Sequence, residues 1–172
     1  MEQVLEFAKI LVPAGLVMYA MYLMVKSFLN KELEKKMLEI RGKSIETVLP
    51  NRLQAFERMC LFLERIAPSS LILRLNNGEY SAKEFQHILL NEIREEYNHN
   101  VSQQIYMSIE VWNLVKNAKE DLVTVVNEAA TALGDEATSM DLSKQVLEIA
   151  HSRPDNINHA LIALKNEISQ TY

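Results

Sequence analysis

The chain has 172 residues, 48% hydrophobic and 24% charged, which suits one modest domain with some apolar content left over. Four Gly and four Pro among many helix-forming residues point to an all-α class, and a single cysteine rules out an internal disulfide. A formal net charge of −5 argues against nucleic acid as a partner, since duplex binding draws on clustered Lys and Arg.

From Ile10 to Val25 every residue is apolar or is Tyr, Pro or Gly, and Leu5 to Lys26 reaches the roughly 20 residues needed to cross a hydrocarbon core. A cleaved signal peptide fits less well than a signal anchor. Glu2 and Glu6 make the extreme N-terminus acidic, and the apolar run leads into Lys26-Ser27-Phe28-Leu29-Asn30-Lys31 with no small-x-small cleavage site. Lys26, Lys31, Lys35, Lys36, Arg41 and Lys43 follow the span, whereas Lys9 and the α-amino group precede it. The positive-inside rule therefore places the bulk of the chain in the cytoplasm. The same cations could touch anionic headgroups of the bilayer, diluted by Glu32, Glu34 and Glu39.

Within the span, Ala8, Val12, Gly15, Tyr19, Tyr22 and Lys26 recur at spacings of three and four and so share one helical face. Small residues allow a second helix to approach, and a Tyr hydroxyl below the headgroups prefers a polar partner to lipid. Gly15, Tyr19, Tyr22 and Lys26 are thus candidates for contact with an integral membrane partner or a second copy. The plainer alternative is an aromatic belt at Tyr22 with Pro13 and Gly15 as tolerated irregularities.

Beyond the membrane, Leu29, Leu33, Met37 and Ile40 continue a helical stripe, with Glu32–Lys36 and Glu39–Lys43 as pairs four apart. Gly42 and Pro50 are the first expected interruptions, Pro50 suiting the first turn of a new helix. The reading is an anchor over 1–28, a juxtamembrane helix over 29–48 and a cytoplasmic domain over 49–172, a bundle of about four to five helices.

In the domain, Leu49, Leu53, Phe56, Cys60, Leu63 and Ala67 make a bundle-like seam. Cys60 lies on that stripe, away from activating cations, and reads as a core residue in a reducing compartment. Pro68-Ser69-Ser70 ends the helix, Leu71–Leu75 reads as extended or as a short apolar turn, and Asn76-Asn77-Gly78 as a turn. Ser81 and Glu84 form a capping box for a helix burying Phe85, Ile88, Leu89 and Ile93. A kink or break near Asn98-His99-Asn100 precedes a stripe of Ile105, Ile109, Trp112, Val115, Leu122 and Val126. Two shorter helices, 140–152 and 155–170, are expected to pair as a hairpin around Arg153-Pro154, the second capped by Asp155 and burying Ile157, Leu161, Leu164 and Ile168.

No Gly-rich phosphate loop, His-Glu-x-x-His zinc helix, cysteine pair or nucleophile elbow occurs, so an NTPase or zinc peptidase is disfavoured and neither a cofactor nor a small-molecule substrate is expected. One pattern has enzymatic content. Glu96-x-x-His99 and Glu148-x-x-His151 each repeat the element that di-iron carboxylate bundles place on two of four helices, with Glu57 or Glu64 and Glu120 or Glu128 as conceivable further ligands. The simpler account makes these solvated helical faces, with His151 at a helix C-terminus. His87 and His159 have no partners at ligand spacing. Ser102-Gln103-Gln104 with Tyr106 is a candidate docking patch of amide and hydroxyl groups, its alternative a helix start capped by Ser102. Trp112, the lone Trp, reads first as core and second as an interface anchor.

Leu49-Pro50-Asn51-Arg52-Leu53-Gln54-Ala55-Phe56-Glu57-Arg58, Leu61-Phe62-Leu63-Glu64-Arg65-Ile66, Ser102-Gln103-Gln104-Ile105-Tyr106 and Val115-Lys116-Asn117-Ala118-Lys119-Glu120 together carry a resemblance. On these blocks the chain resembles a family of small single-pass helical membrane proteins from Bacteroidota that has no assigned activity. The resemblance implies a bacterial inner-membrane address and no mechanism. The leading expectation is therefore a non-enzymatic accessory or scaffold subunit of an inner-membrane complex. The alternatives are a membrane-anchored di-iron enzyme and a cytoplasmic docking module.

Overall fold

A computed structural model describes residues 2–170; within the first helix, the side chains of residues 2–10, 41, 42, 44, 45 and 47 lie outside the description. Expectations resting on the side chains of Glu2, Leu5, Glu6, Ala8, Lys9 and Arg41 fall there. The described chain is all helical: α1 (Glu2–Ile66), α2 (Pro68–Leu75), α3 (Ala82–Asn100), a 3₁₀ turn (Val101–Tyr106), α4 (Ile109–Thr131), α5 (Ser139–Ser152) and α6 (Asn156–Ser169). It divides into two units, Met1–Pro50 and Asn51–Tyr172.

The first unit lies wholly in α1. Within Leu11–Ile40 an 18-residue window is apolar enough to cross a membrane, with a mean hydropathy of 1.5, and none of that window is buried. The expected interruptions at Gly42 and Pro50 are corrected: Pro13, Gly42 and Pro50 all lie inside α1. A proline removes one intrahelical donor and crowds the carbonyl four residues earlier, a local cost that a long helix can absorb without ending.

The second unit packs a single core. From α1 it buries Phe56, Met59, Phe62, Leu63 and Ile66, so the seam is turned from the one expected: Leu53 is 40% exposed and Cys60 only half-buried. Burial raises the Cys60 thiol pKa above its ordinary value, opposed by Lys165 and reinforced by Glu64, which favours the thiol over the thiolate. Pro68 opens α2, correcting the extended reading of 71–75, and that helix buries Leu71 and Ile72. Phe85, Leu89 and Ile93 of α3 are buried as expected, Ile88 partly. From α4 come Val111, Val115, Ala118, Leu122, Val125, Val126 and Ala129. The expected α5–α6 hairpin is also corrected. α6 packs on α4, and α5 packs on α4, α3 and α2, so α4 is the common spine.

Local chemistry sets the boundaries. Ser81–Glu84 and Thr138–Asp141 are full capping boxes, while Ser108 and Asp155 cap α4 and α6 through single side-chain bonds. The two boxes adjoin: Ser81 and Thr138 form an isolated antiparallel bridge, the Ala82 N–H donates to Ala137 O at 2.9 Å, and the Ser139 N–H donates to Tyr80 O at 2.9 Å. Asn76 fastens its turn below them, donating to Ser143 Oγ at 2.9 Å while its Oδ1 accepts from Ser139 Oγ at 2.9 Å and from the N–H of Gly78 at 2.8 Å. Gly78 takes φ +81°, the left-handed conformation that this turn requires.

Candidate functional site

Two surfaces carry the residues that the sequence singled out, one in each unit. In the first, Gly15, Tyr19, Tyr22 and Lys26 are all exposed, and a side chain placed on Gly15 would meet nothing within 4 Å. Lys26 Nζ stands 6.0 Å from the Tyr22 ring centroid, close enough for the ring face to attract it. At about 100° per residue, Gly15, Tyr19, Tyr22, Lys26, Leu29, Leu33, Met37 and Ile40 fall within about 40° of one line along the helix. The apolar stripe after the span is thus the same face as the polar-spotted one within it. Leu29, Leu33, Met37 and Ile40 are 54–67% exposed. Apolar side chains this exposed, interleaved with Lys31, Glu32, Glu34, Lys35 and Lys36, leave a continuous surface uncovered.

In the second unit, the 3₁₀ turn holds Ser102 and Gln104 exposed and Gln103 and Tyr106 half-buried. Ser102 caps no helix; the restart belongs to Ser108, two residues beyond Tyr106. Ile105 and Ile109 are 77% and 79% exposed, correcting their place on a buried stripe. The reason is phase. A 3₁₀ turn ending in an extended Met107 resets the helical register, so the buried face of α4 begins at Val111. Trp112 is half-buried against the core and stacks on Tyr97 at 5.8 Å between centroids, Tyr97 in turn meeting Phe62 at 6.1 Å and Lys119 Nζ at 4.5 Å.

The turn is held by a polar knot that the sequence did not reveal. Arg52 Nε donates to Tyr106 O at 3.1 Å and its Nη2 to Glu167 Oε1 at 2.9 Å, while Glu167 also accepts from the N–H of Ser108 at 2.9 Å and from its hydroxyl. Arg52 and Glu167 lie 115 positions apart, so no local spacing could signal the pair.

A second unforeseen knot gathers on Arg153, which pairs with Asp121 at 3.2 Å and with Glu128; Asn156 Nδ2 donates to Asp121 at 3.1 Å. The hydrogen bond to Glu128 is the chief cause that raises the guanidinium pKa further above its ordinary value. Asp121, Arg153 and Asn156 line an open cleft of about 530 Å³ together with Leu122, Val125, Leu147 and Ile157. Arg153-Pro154 was legible only as a helix break.

The Glu-x-x-His elements do not converge into a ligand set. Glu96 pairs with Arg65 at 2.6 Å, His99, Glu148 and His151 are exposed, and among the described residues no three His, Cys, Asp or Glu groups stand close enough to hold a metal ion.

No curated protein and no solved structure matches the chain. One family model does, over residues 2–171, spanning both units, and the chain therefore belongs to that family of unknown function, DUF7935.

Proposed function

We propose that this protein is an accessory or scaffold subunit of a bacterial inner-membrane complex. In this reading α1 anchors it with the N-terminus in the periplasm, and residues 49–172 form its cytoplasmic domain. The cations from Lys26 onward support that direction under the positive-inside rule. It acts through helix–helix contacts with an integral membrane partner or a second copy, and it carries no cofactor and turns over no substrate.

The observation behind the proposal is the single face of α1 that runs from Gly15 to Ile40 and is uncovered throughout. Lipid accounts for exposed apolar groups inside a bilayer, but Leu33, Met37 and Ile40 stand among charges that no hydrocarbon core would hold. A packed partner removes them from water. Extraction in a mild detergent followed by native mass spectrometry tests the idea. The expected product is a complex larger than one chain; a lone monomer from every mild detergent tried would end this reading.

One observation favours a second role for the cytoplasmic unit. Ile105 and Ile109 are exposed beside Ser102 and Gln104, an apolar patch with polar edges that suits recruitment of a soluble protein. Such binding would survive deletion of the residues before Asn30.

A further inference from the structure

The uncovered face of α1 also carries information about what covers it, provided that α1 crosses the membrane in the direction proposed for the scaffold. Among Gly15, Tyr19, Tyr22, Leu29, Leu33, Met37 and Ile40 the face bears one charge, Lys26, at the boundary between the apolar span and the charged segment. Both copies of a self-pair would cross the membrane in the same direction and meet along this face in register. Lys26 would then oppose Lys26, two ammonium groups at a place where the bilayer edge reduces screening. Lys36, about 60° from the centre line, adds positive charge to one flank, whereas Glu32 and Glu39 lie about 100° and 120° away and do not offset it at the seam. The charge pattern works against self-pairing and asks for an acidic counterpart.

We infer that the α1 face is covered by a membrane-spanning helix of a different protein, which sets an Asp or Glu carboxylate against Lys26 at the cytoplasmic edge of the bilayer. Small or apolar side chains of that helix pack over Gly15, where there is open room, and over Leu33, Met37 and Ile40. The Tyr22 ring steadies the ammonium from the same face. A carboxylate there forms a charge-assisted hydrogen bond in a half-dry setting, which fixes both register and partner identity.

The test places a photo-crosslinking amino acid at Leu33, on the face, or at Lys35, on the opposite side, in the full-length chain in native membranes. The expected result is one discrete adduct from position 33, absent from position 35 and different in mass from two copies of the 19.8 kDa chain. Lys26→Glu lowers its yield by at least about tenfold, the effect of facing like charges, while Lys26→Arg keeps it. Lys26→Gln provides a second reading if Lys26→Glu inserts poorly, with an intermediate loss expected. Charge reversal of the acidic residue in the crosslinked helix should restore the yield with Lys26→Glu. An adduct of twice the chain mass overturns the inference and leaves the scaffold reading standing, now as self-association. Equal, diffuse labelling at positions 33 and 35, the mark of a face covered by lipid alone, overturns it as well. So does an adduct indifferent to both Lys26→Glu and Lys26→Gln.

Discussion

The two units of this chain solve opposite problems with the same kind of helix. Between Asn51 and Ile66, α1 buries Phe56, Met59, Phe62, Leu63 and Ile66 in the core it shares with the later helices. Between Leu11 and Pro50 no residue with a described side chain is buried. One segment finishes its packing within the chain, and the other leaves its apolar surface for something else. Stability should therefore reside almost entirely in the second unit and, in the scaffold reading proposed above, recognition largely in the first.

The sharpest way to break that comparison is a paired truncation in the full chain, followed by Trp112 fluorescence during urea unfolding in detergent. Phe62→Ala should remove about 3–5 kcal/mol, the usual result of emptying a packed aromatic site. Leu33→Ala should change stability by less than about 0.5 kcal/mol. Comparable losses would mean that the first unit is not independent of the second. Next in size is Glu167→Ala, which removes the acceptor of both Arg52 Nη2 and the Ser108 N–H and should lose about 1–3 kcal/mol in the same unfolding experiment. Glu167→Gln, still an acceptor, should lose less.

Ser81→Ala and Thr138→Ala should each lose about 1 kcal/mol as cap deletions. They also set a pH dependence. Bonds from the backbone and hydroxyl of Ser81 hold the Glu84 carboxyl below its ordinary pKa, and the hydroxyl and backbone of Thr138 do the same for Asp141. Each carboxyl binds its proton less readily folded than unfolded. Its contribution is therefore complete above the ordinary carboxylate range, near about 4, and is lost as pH falls through the lowered folded value. The double cap mutant should show a flatter acid limb in a stability–pH profile. Smallest of all, Ile109→Ser should leave stability within about 0.5 kcal/mol while weakening any soluble partner's grip, measurable by pull-down with the second unit accessible.

What could be read in the sequence was what is local. Ser81-x-x-Glu84 announces a helix start because both bonds close within four residues, and the Thr138-x-x-Asp141 box was equally legible had Asp been allowed the role of Glu. The helical class and the span long and apolar enough to cross a membrane follow from composition and run length. Period alone failed where phase changed. α2 has only eight residues, too few to show a stripe, and the 3₁₀ turn re-aimed Ile105 and Ile109 outward. The Arg52–Glu167 and Arg153–Asp121 knots depend on tertiary neighbours, and nothing in a linear spacing could have paired them. Of the surface assigned to the first unit, both Gly15 to Lys26 and the Leu29–Ile40 stripe that continues it were visible from spacing, because no helix breaker stands between Lys26 and Ile40.

The bridge between Ser81 and Thr138 has a consequence for exchange with solvent. Amides in the first turn of a helix ordinarily lack an internal acceptor and swap hydrogen for deuterium quickly. Here the first amides of α3 and α5, at Ala82 and Ser139, each donate to a carbonyl in the segment leading into the other helix. Releasing either one requires segments 57 positions apart (138 − 81) to separate. These two amides should therefore exchange on the timescale of opening the whole second unit, which makes them native reporters of its global stability within the full-length chain.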